Sequence, residues 1–185
     1  MDRFLDALER GATLYLLGDL FDFWFDFGGE PPGEHRPALD ALRRATGRGV
    51  AISFMGGNHD YWARTGRGPG WLERVAGLTL IDDPWRVSHQ GLRLLLTHGD
   101  ALGGARGKYR LVRAVFRSRP ATLAFRCLPE RLGHAIARRT SAASRSRHHE
   151  EALAAYRERL AEAARAELST GRQDAVIAGH VHHPE

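Results

Sequence analysis

The sequence predicts an α/β protein, a β-sheet core flanked by helices, with a helical insert at about residues 103–149. Two observations predict it. Compact apolar runs of four to six residues, the pattern of strands buried on both faces, alternate with stretches of helical spacing. Four of those runs pass straight into short loops of Gly with Asp, Asn or His. In open α/β sheets, ligands bind outside the carboxyl ends of the strands, so the four loops are expected to meet at one site. At 185 residues and 43% apolar content, the chain can bury one good core and reads as a single domain, 1–185.

Phe4, Leu5 and Leu8 have helical spacing, so residues 2–10 read as a short helix ended by Gly11. Thr13 to Leu17 (TLYLL) reads as a buried strand, followed by Gly18-Asp19. Residues 36–47 read as a helix closed at Gly47 or Gly49. Val50 to Met55 (VAISFM) is the next buried strand and runs into Gly57-Asn58-His59-Asp60. Leu78 to Ile81 reads as a third strand. Trp85 to Ser88 and Leu92 to Thr97 read as a hairpin around Gln90-Gly91, with His98-Gly99-Asp100 behind it. The chain then turns helical and basic, with breaks near Pro120 and Pro129. A long Ala-rich helix over 148–168 is capped by Gly171. Ala175 to Ala178 is a last short strand, ending in Gly179-His180-Val181-His182.

No apolar stretch approaches the roughly 18 residues that span a bilayer. Met1-Asp2-Arg3-Phe4-Leu5 lacks the basic start and long apolar run of a signal peptide. One cysteine, Cys127, excludes an internal disulfide framework and fits a reducing compartment, so cytoplasm is the expected location. Of 27 basic residues, 26 are Arg, which by itself can reflect codon usage. Their distribution is more informative. Residues 103–149 hold twelve basic side chains and one acid, Glu130, about +11 against about −6 for the remainder. Such a block implies an anionic partner: phosphate, an anionic lipid surface or nucleic acid.

The chemistry-bearing set is Asp19 and Asp22 (GDLFD), Asn58 and His59 (GNHD), His98 (HGD), and His180 and His182 (GHVH). Carboxylate, imidazole and amide oxygen together suit divalent manganese, iron or zinc. Each motif alone has a plainer reading. Gly-Asn is a common turn, Asp19 and Asp22 are ordinary helix caps, a lone His98 is usually a core histidine, and His180, His182 and His183 make a His-rich tail. Their conjunction, in chain order and at strand ends, favours a site.

These motifs, in this order, resemble motifs two to five of the calcineurin-like metallophosphoesterases. The resemblance implies a centre of two divalent metal ions. Asp19 resembles the carboxylate that bridges both; Asn58, His98 and His180 resemble the other ligands of one metal, and His182 a ligand of the other. Asp22 and His59 resemble an acid–imidazole pair that meets the scissile phosphate. Ions about 3.5–4 Å apart clamp a phosphoryl group for in-line attack. The family's first motif, a strand ending in Asp-x-His, has no counterpart: no histidine here follows an Asp by two residues. The chain also stops just after GHVHH-Pro184, where the family continues into further strands. The first strand and the last strands are therefore expected to be missing; the resemblance implies an enzyme, with an inactive fragment as the alternative.

GDLFDFWF, GNHDYW, HGDAL and the helical insert resemble, over nearly the whole chain, the UDP-2,3-diacylglucosamine diphosphatases of lipid A biosynthesis. That resemblance implies hydrolysis to UMP and 2,3-diacylglucosamine 1-phosphate, typically with manganese, and a helical cap that holds acyl chains. Tyr109, Arg138, Ser141 and Arg145 align with cap positions that resemble substrate contacts. Arg106, Arg110, Arg113 and Arg117 form one helical stripe, and Leu111, Val112, Val115 and Phe116 another. A basic amphipathic helix fits peripheral attachment to the inner face of the cell membrane. The chain departs from familiar proteobacterial members at Asp22 and His59, where they carry Glu and Arg, and at Ala105 and Arg106, where acids are common. The alternatives are a phosphodiesterase or phosphatase acting on another phospholipid or nucleotide, or an inactive membrane-binding remnant. Nucleic acid is not an expected partner, since no recognition motif accompanies the basic block.

Overall fold

The computed structural model describes residues 1–26, 31, 33–63, 69–100, 102, 111, 114–115, 118–129, 132–133, 135–136 and 150–180. Its elements are α1 (Asp2–Asp6), β1 (Thr13–Leu16), α2 (Arg36–Gly47), β2 (Ala51–Met55), α3 (Trp71–Ala76) and β3 (Thr79–Ile81). They continue as β4 (Trp85–His89), β5 (Leu92–Thr97), α4 (Arg119–Arg126), α5 (Glu150–Ser169) and β6 (Ala175–Ala178).

The described strands form two three-stranded sheets, ordered β1-β2-β3 and β4-β5-β6. The first is wholly parallel, with Leu14 opposite Ile52 and Phe54 opposite Leu80. Its core is built against helices: Leu5 of α1, Leu39, Leu42 and Ala45 of α2, and Leu72 and Ala76 of α3 pack with Ile52, Phe54 and Leu80. In α2 the apolar positions recur at helical spacing, and Pro37 lies in its first turn, where no N–H partner is lost. The second sheet begins as a hairpin. Gln90 and Gly91 both take positive φ, 50° and 81°, the geometry a two-residue reverse turn needs to match strand twist. Beside it, β6 runs parallel to β5, with Leu95 opposite Val176. The β5–β6 pair is fastened at its start by Arg93, whose guanidinium forks onto the Asp174 carboxylate at 2.6 and 3.0 Å. The Arg93 amide also donates to that carboxylate, at 2.7 Å.

Sequence expectations and structure agree closely over β1, α2, β2, β6 and the hairpin. The first helix is shorter than expected: after Asp6 the chain bends through Gly11, whose amide donates to the Gly49 carbonyl at 3.0 Å to place β1 beside β2. Near Pro120, where a break is expected, α4 begins, with the Ser118 hydroxyl accepting from the Ala121 amide at 3.3 Å. From α4, Phe125 stacks on Trp62 at 5.6 Å and 4°, and meets Phe25 at 4.9 Å. A helix of the insert is thereby fixed to the loops that follow β1 and β2.

Two outcomes are expected. Leu42→Ala, at a fully buried position, costs about 2–5 kcal/mol in chemical denaturation. The Arg93 hydrogen bond holds the Asp174 pKa at about 2, below the ordinary 3.8. The pair therefore stabilises fully above about pH 4, and its contribution is lost as the pH falls from 3.8 toward 2. Asp174→Asn lowers the melting temperature at neutral pH, and the gap to the parent protein narrows over that acid window.

Candidate metal centre

Four loops carry the expected site residues, two from each sheet: after β1 (Asp19), β2 (Asn58, His59), β5 (His98) and β6 (His180). Their approach depends on glycine. A Cβ on Gly18, whose φ is +89°, would fall 2.6 Å from Gly57 Cα and 2.6 Å from His98 Nδ1. One on Gly57 would lie 2.2 Å from an Asp19 carboxylate oxygen. Only bare backbone allows the loops this close. Asp19 and His180 themselves adopt left-handed backbone, at φ 53° and 71°. Non-glycine residues in that region are uncommon and cluster at functional sites.

The first sheet's two loops are joined by the last carboxylate of the GNHD motif, a residue with no role among the sequence expectations. Asp60 is fully buried. Its Oδ1 accepts from the amides of Gly57 at 2.7 Å and Asp19 at 3.1 Å. Its Oδ2 accepts from Leu20 at 2.7 Å and Phe21 at 3.2 Å. Burial raises its pKa to about 6; the amide bonds oppose that rise, and the nearby Asp19 charge adds to it.

His98 is the centre of the cluster and is wholly buried. Its Nδ1 lies 2.7 Å from the Leu17 carbonyl oxygen, to which it can only donate, so in the neutral ring Nε2 carries the lone pair. Around Nε2 stand Asn58 Oδ1 at 3.1 Å, His180 Nδ1 at 3.1 Å and Asp19 Oδ2 at 3.4 Å. Each of these atoms has a lone pair to offer, His180 Nδ1 in one of its two tautomers, so a cation among them would be held by all four residues. Donor atoms of Asp19, His98 and His180 all lie within 4.8 Å of one another, and the set of carboxylate, imidazole and amide oxygen fits a borderline divalent ion. The ring orientation imposed by Leu17 is the outer support that metal-binding histidines commonly have.

His59 sits at the margin of this cluster. Its amide donates to Asp19 Oδ1 at 3.0 Å, and its Nδ1 lies 3.1 Å from the main-chain carbonyl of Asp22. That contact is to the main chain of Asp22, not to the carboxylate that the acid–imidazole pair would use. Tyr156 of α5 also reaches the site, and nothing in the Ala-rich helix singled it out. Its hydroxyl donates to the Gly99 carbonyl at 2.7 Å, and its ring lies 5.2 Å from that of His180. His182, Tyr109, Arg138, Ser141 and Arg145 lie outside the described residues.

Asp60→Ala would take the acceptor from four amides, two of them in buried bonds at about 1–3 kcal/mol each. It is expected to unfold the loops or the whole chain. Asp60→Asn keeps an acceptor oxygen and should retain the fold with a lower denaturation midpoint.

No protein-family model matches the chain. It is 33% identical over 185 residues to UDP-2,3-diacylglucosamine hydrolase of Chromobacterium violaceum, covering 98% of this chain and 75% of that protein. Proteins of the same name match at 39% over 119 residues in Chromohalobacter salexigens and 36% over 147 residues in Pseudomonas fluorescens. These alignments take in 62% and 77% of this chain, and about half of each relative, 46% and 57%. With the first alignment running through all four strand-end loops at this identity, the chain belongs to the UDP-2,3-diacylglucosamine hydrolase family.

Proposed function

We propose that the protein hydrolyses the pyrophosphate of UDP-2,3-diacylglucosamine, giving UMP and 2,3-diacylglucosamine 1-phosphate for lipid A biosynthesis. The observation that carries this reading is the gathering of Asp19, Asn58 and His180 around the lone pair of His98. Asp19, Asn58, His98 and His180 would hold one divalent ion, with Asp19 shared and His182 contributing to a second. Manganese is the expected metal, with iron or zinc as alternatives. When bound, the ions supply Lewis-acid charge against the phosphoryl oxygens. In the reaction a water oxygen bonds to one phosphorus while the bridging oxygen leaves with the other phosphate. His59 would stabilise the developing charge or protonate that leaving oxygen from Nε2, its ring steadied by the Asp22 carbonyl.

The substrate is an anionic glycolipid, and we assign its extraction to the insert, acting peripherally at the inner face of the cell membrane. Tyr109, Arg138, Ser141 and Arg145 are proposed substrate contacts. The basic excess of residues 103–149 and the exposure of Leu111, Val115 and Leu123 support this placement. No helix among the described residues is long and apolar enough to cross a membrane.

UMP release from UDP-2,3-diacylglucosamine, dependent on added manganese and abolished by a chelator, is the expected result. Hydrolysis confined to small soluble esters would overturn the substrate assignment. Asp19→Ala should remove both bound metal and activity, the latter by about a thousandfold or more. His59→Ala should keep the metal and lose about 10²–10⁴-fold in kcat. Metal analysis alongside kinetics separates the two roles, and equal metal loss in both variants would refute them.

A further inference from the structure

Beside the metal centre the molecule carries a cleft of about 360 Å³, near the lower end of the roughly 300–1,000 Å³ usual for small-molecule sites. We infer that this cleft is the nucleoside subsite, which takes the pyrimidine base and ribose of the substrate while the pyrophosphate lies at the metal ligands. The inference rests on the hydrolase reading and deepens it.

Position comes first. β1, β2 and β3 are parallel, so their carboxyl ends share one edge of the sheet. Asp19 follows β1 and Asn58 follows β2, while the cleft opens where β2 and β3 end. Neighbouring strands are about 4.8 Å apart, so the cleft adjoins the cluster one strand further along. Asp83, in the cleft lining, also accepts from the Thr97 hydroxyl at 2.6 Å and from the amide of His98 at 3.3 Å. A group in the cleft is therefore separated from a metal ligand by a single side chain.

Lining chemistry then selects among the parts of the substrate. Phe54, Ala63 and Leu80 give an apolar floor, Tyr61 a flat ring, and Asp82 and Asp83 two carboxylates. The charged side chains of the described lining are the two carboxylates, which suit hydrogen-bond donors rather than a phosphate. Two carboxylates and so small a volume equally disfavour a pair of acyl chains. A base and ribose match: a π face for the tyrosine ring, and imide N–H and ribose hydroxyls as donors for carboxylates, which only accept. Asp82 is exposed and belongs to the lining.

The test uses the whole chain with manganese present, and measures binding of UMP, uridine and inorganic phosphate by calorimetry. Tyr61→Ala and Asp82→Ala are expected to weaken UMP and uridine about ten- to a hundredfold, the range for loss of a base-stacking aromatic. Phosphate should bind both variants as it binds the parent. Asp82→Ala, at an exposed position, keeps the test valid if the tyrosine variant folds poorly. UMP and uridine bound equally by parent and Asp82→Ala would overturn the subsite. So would UDP-2,3-diacylglucosamine hydrolysis with KM unchanged in both variants, which would leave the hydrolase reading intact. Uridine binding that depends on Tyr61 and Asp82 in a protein unable to cleave the substrate would support the subsite and sink the hydrolase reading.

Discussion

A carboxylate without solvent must find hydrogen-bond donors, and Asp60 finds four in the main chain of two loops that are far apart in sequence. Those bonds set where the β1 loop ends and the β2 loop begins, and so where Asp19 and Asn58 stand. The strands alone would not do this. β1 and β2 fix the loop origins through their register, but the loops bend sharply straight after it, with Gly18 at φ +89° and Asp19 at 53°. Asp60 turns those bends into one rigid body. Its raised pKa is the electrostatic signature of the same arrangement, a charge taken from water and held by amide dipoles beside a second carboxylate.

On the other sheet the organising atom is Nε2 of His98. The Leu17 carbonyl, at the end of β1, fixes the ring through Nδ1, so the first sheet orients a ligand supplied by the second. Thr97 and Asp83 hold the same turn from below, through hydroxyl and amide. Tyr156 closes the far side by its bond to the Gly99 carbonyl and its ring contact with His180. The centre therefore belongs to neither sheet. It lies on the seam between their carboxyl ends, with residues from both halves and one of them, His98, oriented across the seam.

Much of this was legible in the sequence because buried strands and Gly-rich loops have strong local signals. TLYLL, VAISFM and AVIA mark strand ends without reference to the rest of the chain, and the hairpin was announced by Gln90-Gly91 between apolar runs. α3 was not legible, since its six residues complete too few turns to show a period. Its start rests on a local cap, the Glu73 carboxylate on the Gly70 amide at 2.7 Å, and on a tertiary partner, the Asp26 carboxylate on the Trp71 amide at 2.8 Å. The division into two sheets was equally hidden, because pairing partners are long-range facts. Asp60 and Tyr156 were missed for a related reason. Each acts on backbone 39 to 57 residues away, and no local spacing encodes such a reach.

The left-handed backbone at Asp19 and His180 sets stability and chemistry against each other. Glycine would adopt those angles without a Cβ penalty, and each side chain there holds the main chain in a conformation that costs of order 1 kcal/mol or more. Selection for heat resistance alone would thus drift toward glycine at both places, and toward a tougher protein with no grip on a cation. Both positions instead carry the carboxylate and imidazole that a cation at this cluster would meet.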